Sequence, residues 1–250
     1  MKNRIGEERV NNFGSTMIIA EYNTSMNMTI YFPQYNYMKE GVAYKEFLLG
    51  KVKCPYEPRI FNKGYIGEGI YSCSNHQEMY AVWRGLFQRC YNQKNFHKQP
   101  TYSNCQVDEQ WYNFQNFAQW YEENYYKVKN EEMHLDKDIL NKGNKIYSPN
   151  NCIFVPERIN TLFVKNTKRR GALPIGVYEQ NGKYIAQLST HIDGKRVKRS
   201  LGSYYTPQSA FNAYKQAKEL YIKEVADEYK DYIPLKLYEA MYMYEVEFND

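Results

Sequence analysis

The apolar residues of this chain change period at Pro207, and that switch constrains the fold more than any other feature. Upstream, Gly176–Glu179, Lys183–His191 and Arg196–Leu201 alternate apolar and polar residues, the two-residue period of a strand. The turns Gln180–Gly182 and Asp193–Gly194 separate these runs, and an Asp-Gly pair between alternating segments signals a hairpin. Downstream, Ala210, Phe211, Tyr214, Ala217, Leu220, Tyr221 and Val225 recur at helical spacing, with Pro207 in the first turn and Thr206 before it. The expected unit is three antiparallel strands followed by one long helix, Pro207 to about Tyr229. Alternation puts Tyr184, Ala186 and Leu188 on the helix side and Lys183, Gln187, Ser189 and His191 on the other. On the third strand Arg196 and Lys198 oppose Val197 and Leu201, while Arg199 breaks the pattern on the Val197 side.

Charge singles out the same region. From Thr161 to Gly202 the basic residues are Lys165, Lys168, Arg169, Arg170, Lys183, Lys195, Arg196, Lys198 and Arg199, opposed by only Glu179 and Asp193. That local +7 exceeds the +5 of the whole chain, so the remainder is net acidic. A basic stripe confined to one segment is the electrostatic footprint of phosphate binding. The strand pattern makes its polar face a candidate for a DNA major groove, which admits β-elements. Lys168, Arg169, Arg170, Lys183, Ser189, Arg196 and Lys198 are the candidate backbone contacts. Gln187 is the candidate base reader, because an amide bonds an adenine edge. Ile185, on the same face, suits a thymine methyl.

A second pattern lies in Leu135–Asn160, which reads as strand, polar Gly turn, strand and helix start. Leu135–Leu140 is the first strand, Asn141–Asn144 the turn and Cys152–Val155 the second strand, and Pro156 suits the first turn of a helix. Ahead of it, helices are expected over His76–Tyr91, capped by Asn75, and over Asn113–Tyr125. Their stripes Tyr80, Trp83, Leu86, Phe87, Cys90 and Phe114, Phe117, Trp120, Tyr121 are read as core rather than base-stacking platforms. Toward the N-terminus, Met17–Tyr22 and Met28–Phe32 read as strands, Ala43–Leu49 as one or two helical turns stopped by Gly50, and Gly64, Gly67 and Gly69 as a flexible connection. Ile233–Glu247 reads as a last helix in a net acidic tail, a packing element or a surface for a protein partner.

The fold class is therefore α+β, in three parts: a small β-rich segment over 1–73, a ββα unit with helical support over 74–165, and the sheet–helix unit with its tail over 172–250. Cys54, Cys73, Cys90, Cys105 and Cys152 form no CxxC pair, which argues for reduced thiols in a cytoplasmic setting and against zinc. No run of ~18 apolar residues predicts a membrane helix, and the N-terminal MKNRIGEERV lacks an apolar signal core.

Two resemblances extend this reading. Trp83, Leu86, Arg89, Cys90 and Tyr91, then Trp111, Phe114 and Phe117, then Leu135–Asp138 and Gly143–Phe154 follow one another in an order that resembles phage-encoded HNH-type proteins. That resemblance covers about Tyr80 to Asn160. It implies a ββα-metal fold on DNA, with Asp136 and Asn160 as ligands of a hard cation such as Mg²⁺ and Asn151 as the residue that orients the base. Where the family carries its general-base histidine, this chain has Lys137. Lysine has a reference pKa of about 10.4, so it is protonated near neutrality and is better read as a phosphate contact. His134, on one strand face with Asp136 and Asp138, is a substitute base to weigh against a plain surface histidine.

The second resemblance runs from Pro174 to Glu224. Gly176–Val177, Gly182–Tyr184, Ala186, Leu188, Gly194–Lys195, Leu201–Tyr204, Thr206, Ala210 and Ala213–Tyr214 resemble the Apetala-type, ethylene-response-factor DNA-binding domain, with Tyr184 and Tyr204 in place of its Trp and Phe. Together the resemblances imply a sequence-preferring double-stranded DNA-binding protein of phage type, in the host cytoplasm, with a weakened or inactive nuclease unit. The alternatives are a Mg²⁺-dependent nicking or homing-type endonuclease and a phage protein that binds a host protein.

Overall fold

The computed structural model describes the chain apart from Met1, Lys2, Lys98, residues 165–171, Asp193 and Gly194, and the side chains of Asn95 and Ile192. Lys168, Arg169 and Arg170 therefore lie outside the described residues, as does the Asp193–Gly194 turn. The protein is a mixed α and β chain with several small sheets. It divides into two compact units, one of Met1–Asn124 with Lys145–Asn150, the other of Tyr125–Asn144 with Asn151–Asp250. The ββα segment and the sheet–helix segment, expected as parts of separate domains, thus fall in the second unit together.

The first unit begins with a four-stranded antiparallel sheet in sequence order: β1 (Glu8–Val10), β2 (Thr16–Thr24), β3 (Asn27–Phe32) and β4 (Tyr37–Val42). Met17, Ile19, Met28, Ile30 and Phe32 alternate into its core, where they meet Phe47 of the short helix α1 (Tyr44–Leu48). The helical part comprises α2 (Gln77–Tyr91), α3 (Gln93–Phe96) and α4 (Phe114–Asn124), with the two-residue strand β5 (Gln106–Val107) before α4. The aromatic stripes are core, as their spacing requires. Trp83, Trp111, Phe87, Phe114 and Phe117 are fully buried, and the Trp83 indole donates to the Trp111 carbonyl at 2.6 Å. His76, not Asn75, occupies the cap position of α2, and no side chain there bonds the helix start.

In the second unit, β6 (Met133–Asp136) precedes the two-residue β7 (Ile146–Tyr147), which lies in the first unit and pairs in parallel with β5. β6 itself pairs antiparallel with β8 (Ile153–Pro156), and α5 (Glu157–Leu162) follows directly. β6 starts two residues before the expected Leu135 and ends at Asp136 rather than Leu140. The Asp136 carboxylate accepts the backbone N–H groups of Asp138 and Ile139 at 2.9 and 2.7 Å and turns the chain out of the strand.

β9 (Val177–Gln180), β10 (Lys183–Ile192) and β11 (Lys195–Tyr204) form the expected antiparallel sheet, with β10 central. α6 (Pro207–Tyr229) packs on one face and α7 (Leu235–Tyr242) on α6. Thr206 caps α6 by accepting the Ser209 N–H at 3.1 Å. Gly176 holds a left-handed φ of 74°, and a Cβ there would lie 2.0 Å from the Tyr214 ring, so only glycine fits where the sheet meets the helix. The last helix stops at Tyr242, well before the expected Glu247, and the chain after it is irregular.

One apolar core joins the two parts of this unit. Ile139, Ile153, Val155, Ile159 and Leu162 of the ββα segment are continuous with Ala186, Leu188, Phe211, Tyr221 and Val225 of the sheet and α6. At its edge Arg158 of α5 pairs with Glu228 at 2.6 Å, while Glu131 accepts both the Arg158 N–H and the Tyr229 hydroxyl.

Candidate nucleic-acid interface

Strand register decides what the open face of the three-stranded sheet presents, because directly opposed residues share a face. Tyr184, Ala186 and Leu188 lie on the α6 side, with Ala186 and Leu188 buried. The other face takes the alternate residues of β10, each with a partner. Lys183 stands opposite Gln180, and Ile185 between Tyr178 and Ser203. Gln187 faces Ser200, Ser189 faces Lys198 and His191 faces Arg196. Glu179 is opposite Tyr184 and so belongs to the helix side. No carboxylate therefore stands on the open face among the described residues.

The cations on this face are exposed. Lys183, Arg196 and Lys198 all reach solvent, and Arg196 donates to Ser189 Oγ at 3.3 Å. The Lys183 ammonium lies 5.2 Å from the Tyr205 ring centroid, and that ring is 82% exposed. A register shift between Ala186 and Gln187 leaves Leu201 as the extra residue on β11. Such a bulge raises local twist at the residue expected to read bases. Sequence alternation found Lys183, Gln187, Ser189, Arg196 and Lys198. It missed Tyr178, Gln180, Ser200 and Ser203, which only cross-strand register assigns to the face. Behind the sheet, burial, and to a lesser degree the Arg196 charge, pulls the Lys218 ammonium of α6 down to about 8.

The ββα segment gathers its expected residues differently. Asn151 accepts a hydrogen bond from Asn141 at 3.0 Å and donates to Asn144 at 3.3 Å, and Asn144 donates to the Lys137 carbonyl at 2.7 Å. Asn151 is thus tied to the loop ahead of it. Lys137 is buried, its ammonium 3.2 Å from an Asp138 carboxylate oxygen. Its side chain is only 8% exposed, which counts against the phosphate contact expected of it. His134 is half-buried, and its Nε2 is shielded from solvent without a hydrogen-bond partner. Asn160 is half-buried on α5, and among the described residues no hydrogen bond or ion pair joins it to Asp136.

Burial first, and the neighbouring Asp138 second, raise the Asp136 carboxyl above the usual range, against the two N–H groups that favour its ionised form. Among the described residues no cluster of three or more His, Cys, Asp or Glu side chains is placed to hold a metal. A divalent cation bound at Asp136 would have to ionise a carboxyl that burial favours protonated. Among the described residues no helix is long and apolar enough to cross a membrane. Compared with known proteins, the chain matches no family model, no curated protein and no solved structure.

Proposed function

We propose that this protein binds double-stranded DNA through the open face of the β9–β10–β11 sheet, and that its ββα segment is a packed support rather than a cutting centre. The observation that carries this reading is a face with Lys183, Arg196 and Lys198 around Gln187 and no carboxylate among the described residues. Its cations would hold phosphates in place, while Gln187 and Ile185, on the central strand, would meet base edges. The resemblance to Apetala-type domains supports the same face, and the resemblance to phage HNH-type proteins supports a DNA setting. Lys137 in the general-base position and the unfavourable cation chemistry at Asp136 support loss of cleavage.

Replacing Arg196 and Lys198 by Ala tests the reading in a gel shift across a salt series. Each lost phosphate contact should flatten the log–log salt slope by about 0.9, so the pair should flatten it by about 1.8 and weaken binding to all sequences alike. Unchanged affinity and slope would sink the assignment. A supercoiled-plasmid assay on the same protein should show no nicking with Mg²⁺ or Mn²⁺. Nicking that disappears in Asp136→Ala would restore the endonuclease reading.

A further inference from the structure

Two apolar side chains stand on the open face of the three-stranded sheet, and they stand together. Alternation along β10 puts Ile185 there, and register brings Tyr178 of β9 directly opposite it, with Ser203 of β11 on its other side. Directly opposed residues hold their Cβ atoms about 5 Å apart, so the ring and the isoleucine form one apolar spot. Ile185 is half-buried and Tyr178 is 39% exposed, so the spot reaches solvent. Among the described residues, every other side chain that the three strands put on this face is polar or cationic.

The surroundings restrict what can cover that spot. Lys183 precedes Ile185 on the same strand face, Arg196 and Lys198 lie farther along the sheet, and no carboxylate stands among them in the described residues. The complementary surface is therefore anionic, yet it must offer an apolar group. In the major groove of a duplex, the thymine C5-methyl is the apolar group that a base edge presents. Gln187 follows Ile185 by two residues on the same face. An antiparallel strand rises about 3.4 Å per residue, so the two side chains lie about 6.8 Å apart along β10. A duplex also rises about 3.4 Å per base pair, so a strand lying along the groove sets them about two steps apart.

We propose that Ile185 and Tyr178 form a thymine-methyl contact, and that the duplex taken by this face carries a thymine two steps from the adenine read by Gln187. The inference rests on the DNA-binding reading above and deepens it by naming the A·T chemistry of the target. Moving a methyl group from water into apolar contact favours binding by about fourfold when the methyl is fully buried. The methyl carries no charge, so its contribution leaves the salt slope alone, unlike that of a phosphate contact.

The test is a gel shift on the full chain with a duplex of alternating A and T, beside the same duplex with deoxyuridine in place of thymine. The alternating sequence offers a thymine methyl in every register, and the two duplexes share charge, pairing and hydrogen-bonding edges. The protein should bind the thymine duplex about fourfold more tightly, with the same salt slope for both. Ile185→Ser should bring that ratio near one. Tyr178→Ser, on the outer strand, should lower it by less, which keeps the test open should the central-strand variant fold poorly. Arg196→Ala with Lys198→Ala should weaken binding to both duplexes and leave the ratio unchanged. A preference for thymine that survives both Ser variants comes from duplex shape and overturns the proposal. If the two duplexes bind equally while Arg196→Ala with Lys198→Ala weakens both, the methyl contact fails and the DNA reading stands. If neither duplex binds, both fall.

Discussion

Single residues on this chain carry more than one physical role, and substitutions separate them. Asp136 ends β6 by accepting two backbone N–H groups, and its ionised form is disfavoured by burial and by Asp138. Asp136→Asn keeps an oxygen acceptor and removes the charge. Because the folded state raises this carboxyl, its contribution is greatest at low pH and is lost as pH rises through the raised value. Chemical denaturation should therefore find Asp136→Asn at least as stable as the parent at pH 7, and Asp136→Ala less stable by about 1–3 kcal/mol because two N–H groups lose their acceptor. Lys218 shows the opposite sign. A lysine depressed to about 8 from 10.5 binds fewer protons folded than unfolded between those values, so stability rises with pH across that window. Lys218→Met should stabilise by about 1–2 kcal/mol at pH 7, and the gain should shrink as pH rises from about 8 and vanish only above 10.5, where the parent lysine loses its proton in the unfolded state as well. Neither environment was legible in the sequence. Asp136 and Lys137 were visible as residue types, but the burial of Lys137 and its pairing with Asp138 depend on what packs around them.

Elements built on local rules appeared where the sequence placed them, and those set by partners did not. α6 runs from Pro207 to Tyr229 because Thr206 caps it, Pro207 tolerates the first turn and an apolar face buries it, although Leu220, expected on that face, is 60% exposed while Ile222 and Ala226 are buried. The segment from Gly64 to Gly69 was expected to be flexible, and partners made it otherwise. Gln115, at the start of α4, donates to the Ile66 and Tyr71 carbonyls and accepts the Tyr71 N–H, at 3.0, 2.9 and 3.1 Å. A Cβ at Gly69 would lie 2.2 Å from Gln115 Oε1, so the glycine makes room for that side chain. Gly69→Ala should destabilise by about 1–3 kcal/mol through loss of these bonds. In a Gln115→Ala background the same change should cost much less, and a double-mutant cycle measured by denaturant unfolding reads the difference. Additive costs would show that the Gln115 bridge is not what holds the segment. The same dependence on partners explains α7, which ends at Tyr242 because the following residues bond to Lys142, Lys215 and Glu219 instead of continuing the helix.

In the molecule as a whole, the α+β class, the three-stranded sheet with its helix, the aromatic cores and the basic open face were present in the sequence. Strand alternation and helical period are local steric properties, fixed by where successive Cβ atoms point, and they survive whatever the chain packs against. Tertiary structure decided what those patterns meet. It merged the ββα segment and the sheet–helix segment into one core and paired β7 in parallel with β5, some 40 positions away. It buried Lys137 in place of exposing it to phosphate, and it closed residues 244–250 over Lys142, about 100 positions earlier in the chain. Local period says which side of an element is apolar. The partner across a core or an ion pair is chosen by distant residues, because burial and desolvation depend on the assembled surroundings rather than on neighbours in sequence.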